Sequence, residues 1–513
     1  MDNTETKKFK TCLSNRGYII RKSHFTNKEL ETIRDDLTVK PNFCPGYQSV
    51  EPETFKLYSE NENKLYIPRY YGQEKFGIAD INKQLEPESI NIKLTAKLRP
   101  IQEPIIEKYL ISAEETGGGI ISAACGVGKT FMSLYLISRF QVKSLILVHK
   151  EFLMNQWRER IKEFLPDAKI GIIQGPKSDV VDKDIVIGMI QSISLREYPD
   201  YIFKGFGFII SDECHHMAAR SFCKAFKKTV FKYSLGLSAT PKRKDGLSRV
   251  FKWNLGDIVF KSDKVKESNV LVYMYKYINN DSKYSKTVLN IRQKANNTSM
   301  ITNIANCIKR NKFIVSLLPD LVKNNRKILI LTERLSQVDW LLKNIKELDD
   351  ISCGKYVGGI KQSKLDEALE KKVIVGTYTM IEEGFDCKEL NTLIMATPKI
   401  DIEQSVGRIL RKKAEDRIIA PLIIDVWDVF STYQFKGIQR IKYYKNRNYK
   451  ITYFDVDDNS NITQILEQIK TKSKNTSKNN NSSSILIDDE IDSDDETSIN
   501  NKNKNNKNID YVF

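Results

Sequence analysis

The sequence predicts an α/β protein: two tandem doubly wound parallel-sheet domains, a small N-terminal accessory module and a disordered C-terminal tail. Three observations carry this. Short continuous runs rich in Ile, Val and Leu alternate with helical patterns from about residue 95 to 260, at 144–149, 185–189, 206–210 and 233–237. Strands covered by helices on both faces read this way. A second series begins near residue 311, with runs at 327–332, 373–377, 393–396 and 422–425, and two βα-alternating series imply two such domains. From about residue 470, Asn, Ser, Lys and Asp dominate and large apolar residues nearly vanish. Such a segment cannot bury enough surface to offset its ordering entropy.

The expected organisation is an accessory module over 1–92, a first domain over 93–262, a connecting segment over 263–310, a second domain over 311–455 and the tail over 456–513. The connecting segment contains a strand-like run at 270–277. A length of 513 residues suits about three domains, and a hydrophobic fraction of 41% is ordinary for a globular protein. No run of 18 or more apolar residues is present, so no membrane-spanning helix is expected. The opening Met-Asp-Asn-Thr-Glu-Thr-Lys-Lys carries no apolar core, so no secretory signal is expected. The eight cysteines are scattered without a CxxC pair, which fits a reducing interior, cytoplasm or nucleus. Cys214, His215, His216 and Cys223 match no common zinc spacing. The formal charge of +17 favours a polyanionic partner, because contacts to phosphates release counterions.

The stretch Ala123-Ala124-Cys125-Gly126-Val127-Gly128-Lys129-Thr130 lies between an apolar run and a helical pattern. Strand, glycine-bearing loop and helix are the setting of a phosphate-binding loop. Gly126 and Gly128 let backbone N–H groups turn around phosphate oxygens, and the helix that follows points its positive end at the same anion. Lys129 adds charge for the terminal phosphates, and Thr130 a hydroxyl for magnesium. Ala123 stands where glycine is usual. Cys125 lies beside the helix start and Lys129, an environment that lowers a thiol pKa, so bound nucleotide is expected to shield it from alkylation.

Asp212-Glu213 follows the buried-strand pattern at 206–210, and ligands of open α/β sheets bind at the carboxyl ends of strands. Asp212 suits magnesium, and Glu213 suits orienting or deprotonating water. Ser238-Ala239-Thr240 follows the next strand, where small hydroxyl residues can couple a nucleotide to a second ligand. In the second series, Glu383-Gly384-Phe385-Asp386 and Gln404-Ser405-Val406-Gly407-Arg408-Ile409-Leu410-Arg411 follow their strands. Arg408 and Arg411 are three apart and share a face on a helix. A guanidinium supplied across a cleft contributes on the order of 10³–10⁵ in rate in other NTPases.

Together with Leu98-Arg99-Pro100-Ile101-Gln102, these motifs in this order resemble the superfamily-two helicases over about residues 95–450. Within them the chain resembles XPB-like DNA translocases. It is more similar still to the transcript-release helicases of poxviruses and other large DNA viruses. The resemblance implies two RecA-like lobes with ATP and Mg²⁺ between them, and hydrolysis coupled to movement on single-stranded or duplex DNA in viral transcription or DNA repair, the alternatives being an RNA helicase or a duplex-DNA translocase that does not separate strands. It also implies an intracellular place, in virion and host cytoplasm if viral and otherwise in cytoplasm or nucleus, with transcription machinery as a partner. A monomer is expected.

By the same resemblance Gln102 reads the adenine and Arg99 supports it, while Ser238, Ala239 and Thr240 couple hydrolysis to nucleic acid. His149, Lys150, Gln191, Ser192 and Thr377 grip a strand. Asp386 lies near the cleft, and Gln404, Arg408 and Arg411 complete the catalytic set. Arg243-Lys244-Asp245 stands where XPB-like enzymes carry an Arg-Glu-Asp element linked to duplex opening, with Lys in place of Glu. Gln404-Ser405 replaces the His-Arg pair common in DEAD-box RNA enzymes, which favours DNA. Residues 436–450 interleave basic and aromatic side chains. They read either as a strip that tracks phosphates and stacks bases or as a helix and strand closing the second domain. The apolar-acidic stretch at 485–492 reads as a docking peptide or as part of an inert tail.

Overall fold

The computed structural model describes residues 10–42, 53–123, 126–215, 223–239, 245–262, 269–291, 293–385, 387–412 and 414–465. The N-terminal module contains β1 (Thr11–Ser14), β2 (Gly17–Arg21), β3 (Thr38–Val39), β4 (Phe55–Lys56), β5 (Ser59–Glu60), β6 (Lys64–Ile67) and β7 (Ile81–Asn82). Five of these strands form a sheet in the order β5-β6-β2-β1-β7, and β3 pairs with β4 apart from it.

The first lobe holds β8 (Gly118–Ser122), β9 (Ser144–Val148), β10 (Ile170–Gln174), β11 (Lys177–Asp179), β12 (Ile185–Met189), β13 (Phe208–Ser211), β14 (Tyr233–Ser238) and β15 (Ile258–Lys261). They form one eight-stranded sheet, β11-β10-β12-β9-β13-β14-β8-β15. Every pairing in it is parallel except that of the edge strand β11. Alternation along β9 divides the core. Leu145 and Leu147 face one hydrophobic cluster, and Ile146 and Val148 face the other. Both faces are therefore covered, as continuous apolar strands require.

The second lobe repeats the plan with β16 (Leu271–Tyr277), β17 (Ile328–Thr332), β18 (Cys353–Tyr356), β19 (Val373–Thr377), β20 (Thr392–Met395), β21 (Leu422–Asp428), β22 (Lys450–Val456) and β23 (Ile462–Ile465). Its order is β18-β19-β17-β20-β21-β16-β22-β23. Along β17, Ile328 and Ile330 face one core while Leu329 and Leu331 face the other.

Two boundaries read from the sequence move. Residues 263–310 do not form a mere connection: β16 lies between β21 and β22, parallel to both. The run was short and flanked by polar sequence, so its place inside a sheet depends on strands that begin only at Leu422 and Lys450. The second lobe also extends past residue 455. The edge strand β23, inside the segment assigned to the tail, pairs antiparallel with β22. The tail beyond residue 465, including 485–492, lies outside the described residues.

An aromatic-basic segment of the module helps to fasten it to the first lobe. On the helix Arg69–Phe76, the Arg69 guanidinium donates to the carbonyls of Phe231 (2.9 Å), Lys232 (2.8 Å) and Thr116 (2.8 Å). Tyr70 Oη lies 2.6 Å from Ser234 Oγ, and Tyr109 Oη donates to Ser234 O at 2.7 Å. These contacts sit at the amino ends of β8 and β14, the end of the sheet away from the phosphate loop. Tyr18, Ile20, Leu65, Ile67 and Tyr71 of the module share a core with Leu145, Leu147 and Phe251 of the lobe.

Candidate nucleotide site and inter-lobe groove

The phosphate loop leaves β8 and enters the helix Lys129–Phe140, whose N-cap is Gly128 at φ 92°. Gly126 also has positive φ, 88°, conformations that favour glycine. A Cβ placed at Gly126 meets nothing within 4 Å, whereas one at Gly128 comes within 2.4 Å of Gln102 Nε2. The loop is thus open at Gly126 and closed over Gln102 at Gly128. Gln102 is buried. Its Oε1 accepts from Arg99 N at 2.9 Å, and its Nε2 donates to Val127 O at 2.8 Å. Arg99 also donates to the carbonyls of Gly126 and Val127. Gln102 and Arg99 therefore brace the loop from beneath. Lys129 Nζ donates to Ala123 O at 2.7 Å, folded back over the loop, and Thr130 is half-buried at the first turn of the helix. Ala124 and Cys125 lie outside the described residues.

The acid pair stands just past the carboxyl end of β13. Trp157 Nε1 donates to Asp212 Oδ2 at 2.8 Å. Burial pushes the Asp212 carboxyl up from 3.8 to about 6; the charge of Glu213 adds to this, and the Trp157 bond, Lys129 and His149 oppose it. Glu213 has φ 47°, the left-handed region that a non-glycine residue seldom takes and that accumulates at functional sites. Its Oε2 is buried without a hydrogen-bond partner, 3.4 Å from His215 Nδ1. His215 Nδ1 lies 3.0 Å from Ser238 Oγ at the end of β14. A chain of contacts thus runs from the carboxylate to the Ser238-Ala239 strand end. Thr240 lies outside the described residues, as do Arg243 and Asp386.

ATP and magnesium suit these residues. The open cradle at Gly126, a lysine and a hydroxyl at a helix start, and two adjacent carboxylates are a donor set that a phosphate-bound divalent ion completes.

On the second lobe, the helix at the arginine motif spans only Glu403–Gly407. Arg408 and Arg411 therefore do not share a helical face. They converge because both guanidinium groups donate to Phe385 O, each at 3.0 Å. Gln404 is half-buried on that short helix.

The residues expected to grip a strand divide in two. Gln191 Nε2 donates to His149 O at 2.7 Å, and Ser192 Oγ accepts from Gly175 N at 2.8 Å. Those side chains hold loops of their own lobe. Lys150 and Thr377 instead line one groove between the lobes, about 890 Å³ in volume, with Asn155, Arg334, Thr379 and Lys399. The basic-aromatic run at 436–450 does not reach it as a strip. It forms most of the helix Ser431–Asn446 and the start of β22, and Lys436, Arg440 and Arg447 are buried.

Trp157 was missed by reading the sequence. It falls with Leu153, Met154 and Ile161 on the buried face of the helix Glu151–Phe164, where its spacing is that of any core residue. Only the fold reveals its indole N–H against Asp212.

Paired sheets with a phosphate loop on one and clustered arginines on the other mark a two-lobed, ATP-hydrolysing enzyme of the nucleic-acid-stimulated kind. Comparison with known proteins agrees in both halves. Residues 95–243 match the family model "Type III restriction enzyme, res subunit", and residues 309–413 match "Helicase conserved C-terminal domain". A protein of Acanthamoeba polyphaga mimivirus named as an ATP-dependent RNA helicase is 37% identical over 460 residues, covering 88% of each chain. One of Invertebrate iridescent virus 6 named as a helicase is 30% identical over 392 residues, covering 71% of this chain and 85% of the relative. The chain belongs to the superfamily-two helicases, alongside those of large DNA viruses.

Among solved structures, S. cerevisiae Dbp5 bound to RNA and ADP BeF3 aligns at a TM-score of 0.50 with 14% identity, covering 69% of this chain and 90% of the other. A fragment described as an HsdR subunit of a type I restriction enzyme from Vibrio vulnificus aligns at 0.51 with 16% identity, covering 72% and 71%. Both likenesses speak to the fold. Among the described residues, no helix is long and apolar enough to cross a membrane.

Proposed function

We propose that this helicase uses ATP to move along a strand of DNA held in the groove between its lobes. The observation that carries the reading is that Lys150 of the first lobe and Thr377, Arg334 and Lys399 of the second line a single groove. A strand laid there touches both lobes, so any change in their separation moves it. The basic excess of the chain supplies the attraction for phosphates.

In this reading Lys129 and Thr130 hold the phosphates and metal, Asp212 holds the metal, and Glu213 takes or orients the proton of the attacking water. Magnesium, when bound, neutralises phosphate charge. Trp157 keeps Asp212 in place. Arg408 and Arg411, now bound to Phe385 O, are available to the phosphates once the lobes close. The contact of His215 with Ser238 links the acid pair to the strand end from which Ala239 and Thr240 lead. Gln102 reads the adenine, and Arg99 supports the loop beside it.

DNA is favoured by Gln404-Ser405 at the start of the arginine motif. RNA is the second reading, supported by the name of the mimivirus relative. Transcript release is the pathway that the viral resemblance favours. ATPase stimulation by single-stranded DNA, duplex DNA and RNA, together with strand displacement on each, tests the proposal. Stimulation by RNA alone overturns the DNA assignment, and no stimulation by any of them overturns the motor.

A further inference from the structure

The loop after β20, Ala396-Thr397-Pro398-Lys399, is held at three carbonyls. Arg310 donates to Ala396 O, Tyr378 Oη donates to Thr397 O at 2.8 Å, and Arg440 donates to Lys399 O at 3.1 Å. Thr397 Oγ1 also accepts from Glu333 N at 2.9 Å, and Pro398 restricts φ within the loop. The two arginines come from opposite faces of the sheet. Each is anchored on its own carboxylate of β21: Arg310 on Asp428 at 2.7 and 2.9 Å, and Arg440 on Asp425 at 2.7 and 2.7 Å. Tyr444 Oη donates to the same Asp425 at 2.9 Å. Arg310, Arg440, Asp425 and Asp428 are all buried.

The purpose of so much buried charge is visible at the end of the loop. Lys399 reaches the inter-lobe groove, its Nζ 4.9 Å from the centre of the Tyr378 ring. Bidentate guanidinium–carboxylate pairs fix direction as well as distance, so the backbone that carries Lys399 has little freedom. A cation whose backbone is already ordered loses less entropy when it meets a phosphate.

We propose that Lys399 is a phosphate-contacting residue of the groove and that Arg440, through Asp425 and the Lys399 carbonyl, is its positioning residue. The proposal rests on the reading that a nucleic-acid strand occupies this groove.

The test is binding of a fluorescent oligothymidylate to the full chain across a salt series, together with the oligonucleotide concentration that half-activates ATPase. Lys399→Ala is expected to weaken binding on the order of tenfold and to flatten the salt slope by about 0.7, the value of one phosphate contact on a single strand. Arg440→Lys keeps the charge but loses the fork, and is expected to weaken binding about threefold to fivefold. That loss should vanish when Arg440→Lys is made on top of Lys399→Ala. Tyr444→Phe, a gentler cut at the same carboxylate, carries the comparison if Arg440→Lys fails to fold.

An unchanged slope in Lys399→Ala beside weakened binding in Lys150→Ala overturns the proposal and leaves the groove reading standing. No effect from either lysine overturns both. An Arg440→Lys or Tyr444→Phe loss that persists undiminished without Lys399 overturns the positioning role.

Discussion

The two lobes share a sheet plan and treat their pairs of acids in opposite ways. In the first lobe, Asp212 and Glu213 meet no arginine among the described residues; an indole N–H reaches one, and the other has a buried oxygen without a hydrogen bond, 3.4 Å from His215 Nδ1. In the second, Asp425 and Asp428 each receive two bonds from a buried guanidinium. A carboxylate that no guanidinium clamps is open to a cation from solution. A carboxylate already paired is a bracket. The difference teaches which lobe is arranged for chemistry and which for holding shape, although both carry two acids on or just past a strand.

Breaking the first arrangement should have the largest effect. Arg408→Ala is expected to lower nucleic-acid-stimulated turnover by ~10³–10⁵ if it serves as the finger, measured by phosphate release at saturating ATP. Glu213→Gln is expected to lower it by ~10²–10⁴ as a lost general base. Retained turnover in the Glu213→Gln protein would remove that residue from the chemistry. Neither Asp212→Asn nor Glu213→Gln should lower the melting temperature, because each removes a poorly compensated charge.

The paired acids should behave in reverse. Arg310→Met leaves Asp428 buried without its cation and is expected to destabilise the protein by about 3–5 kcal/mol, read by chemical denaturation. A loss under ~1 kcal/mol would show that the pair is a weak bracket and would erase the contrast between lobes.

Trp157→Phe sharpens the comparison within the first lobe. It keeps most of the packing and removes the N–H donated to Asp212, a bond worth about 1.5–3 kcal/mol to a charged group. Turnover should fall roughly tenfold, with the apparent magnesium requirement raised. Unchanged magnesium dependence would make the indole a packing residue only.

The smallest effect belongs to the module. The Glu60 carboxyl is drawn down to about 2 by hydrogen bonds from Arg34 and Lys22. Its folded pKa lies below its unfolded value of 4.5, so its contribution is complete above pH 4.5 and is lost as pH falls from there toward 2. The melting temperature of Glu60→Gln should therefore lie slightly below that of the parent at pH 7, with the gap closing in this acid window. A constant gap would assign the difference to packing.

Much of this was legible from local patterns. The continuous apolar runs at 144–149, 185–189, 327–332 and 373–377 are strands, and the phosphate loop and acid pair sit at the ends of such strands. The strand at 270–277 was legible as a strand but not as a member of the second sheet, because its partners β21 and β22 lie far along the chain. The run at 436–450 had two readings of equal chemistry. Whether Arg440 meets a phosphate or Asp425 cannot be read from an alternation of basic and aromatic residues.

The amino-acid order alone determined the kind of elements, their α/β alternation and the chemical identity of the phosphate-loop, acid and arginine residues. Periodicity and turn chemistry act over a few residues and leave their mark in the sequence itself. The tertiary structure alone decided which cations are spent inside the protein and which face the groove. It also decided that Trp157 holds Asp212, that Arg408 and Arg411 meet at Phe385, and that Lys399 is fixed from both faces of a sheet. Those choices depend on strand order and helix placement, which bring together groups 15 to 118 residues apart, a distance over which local spacing carries no information.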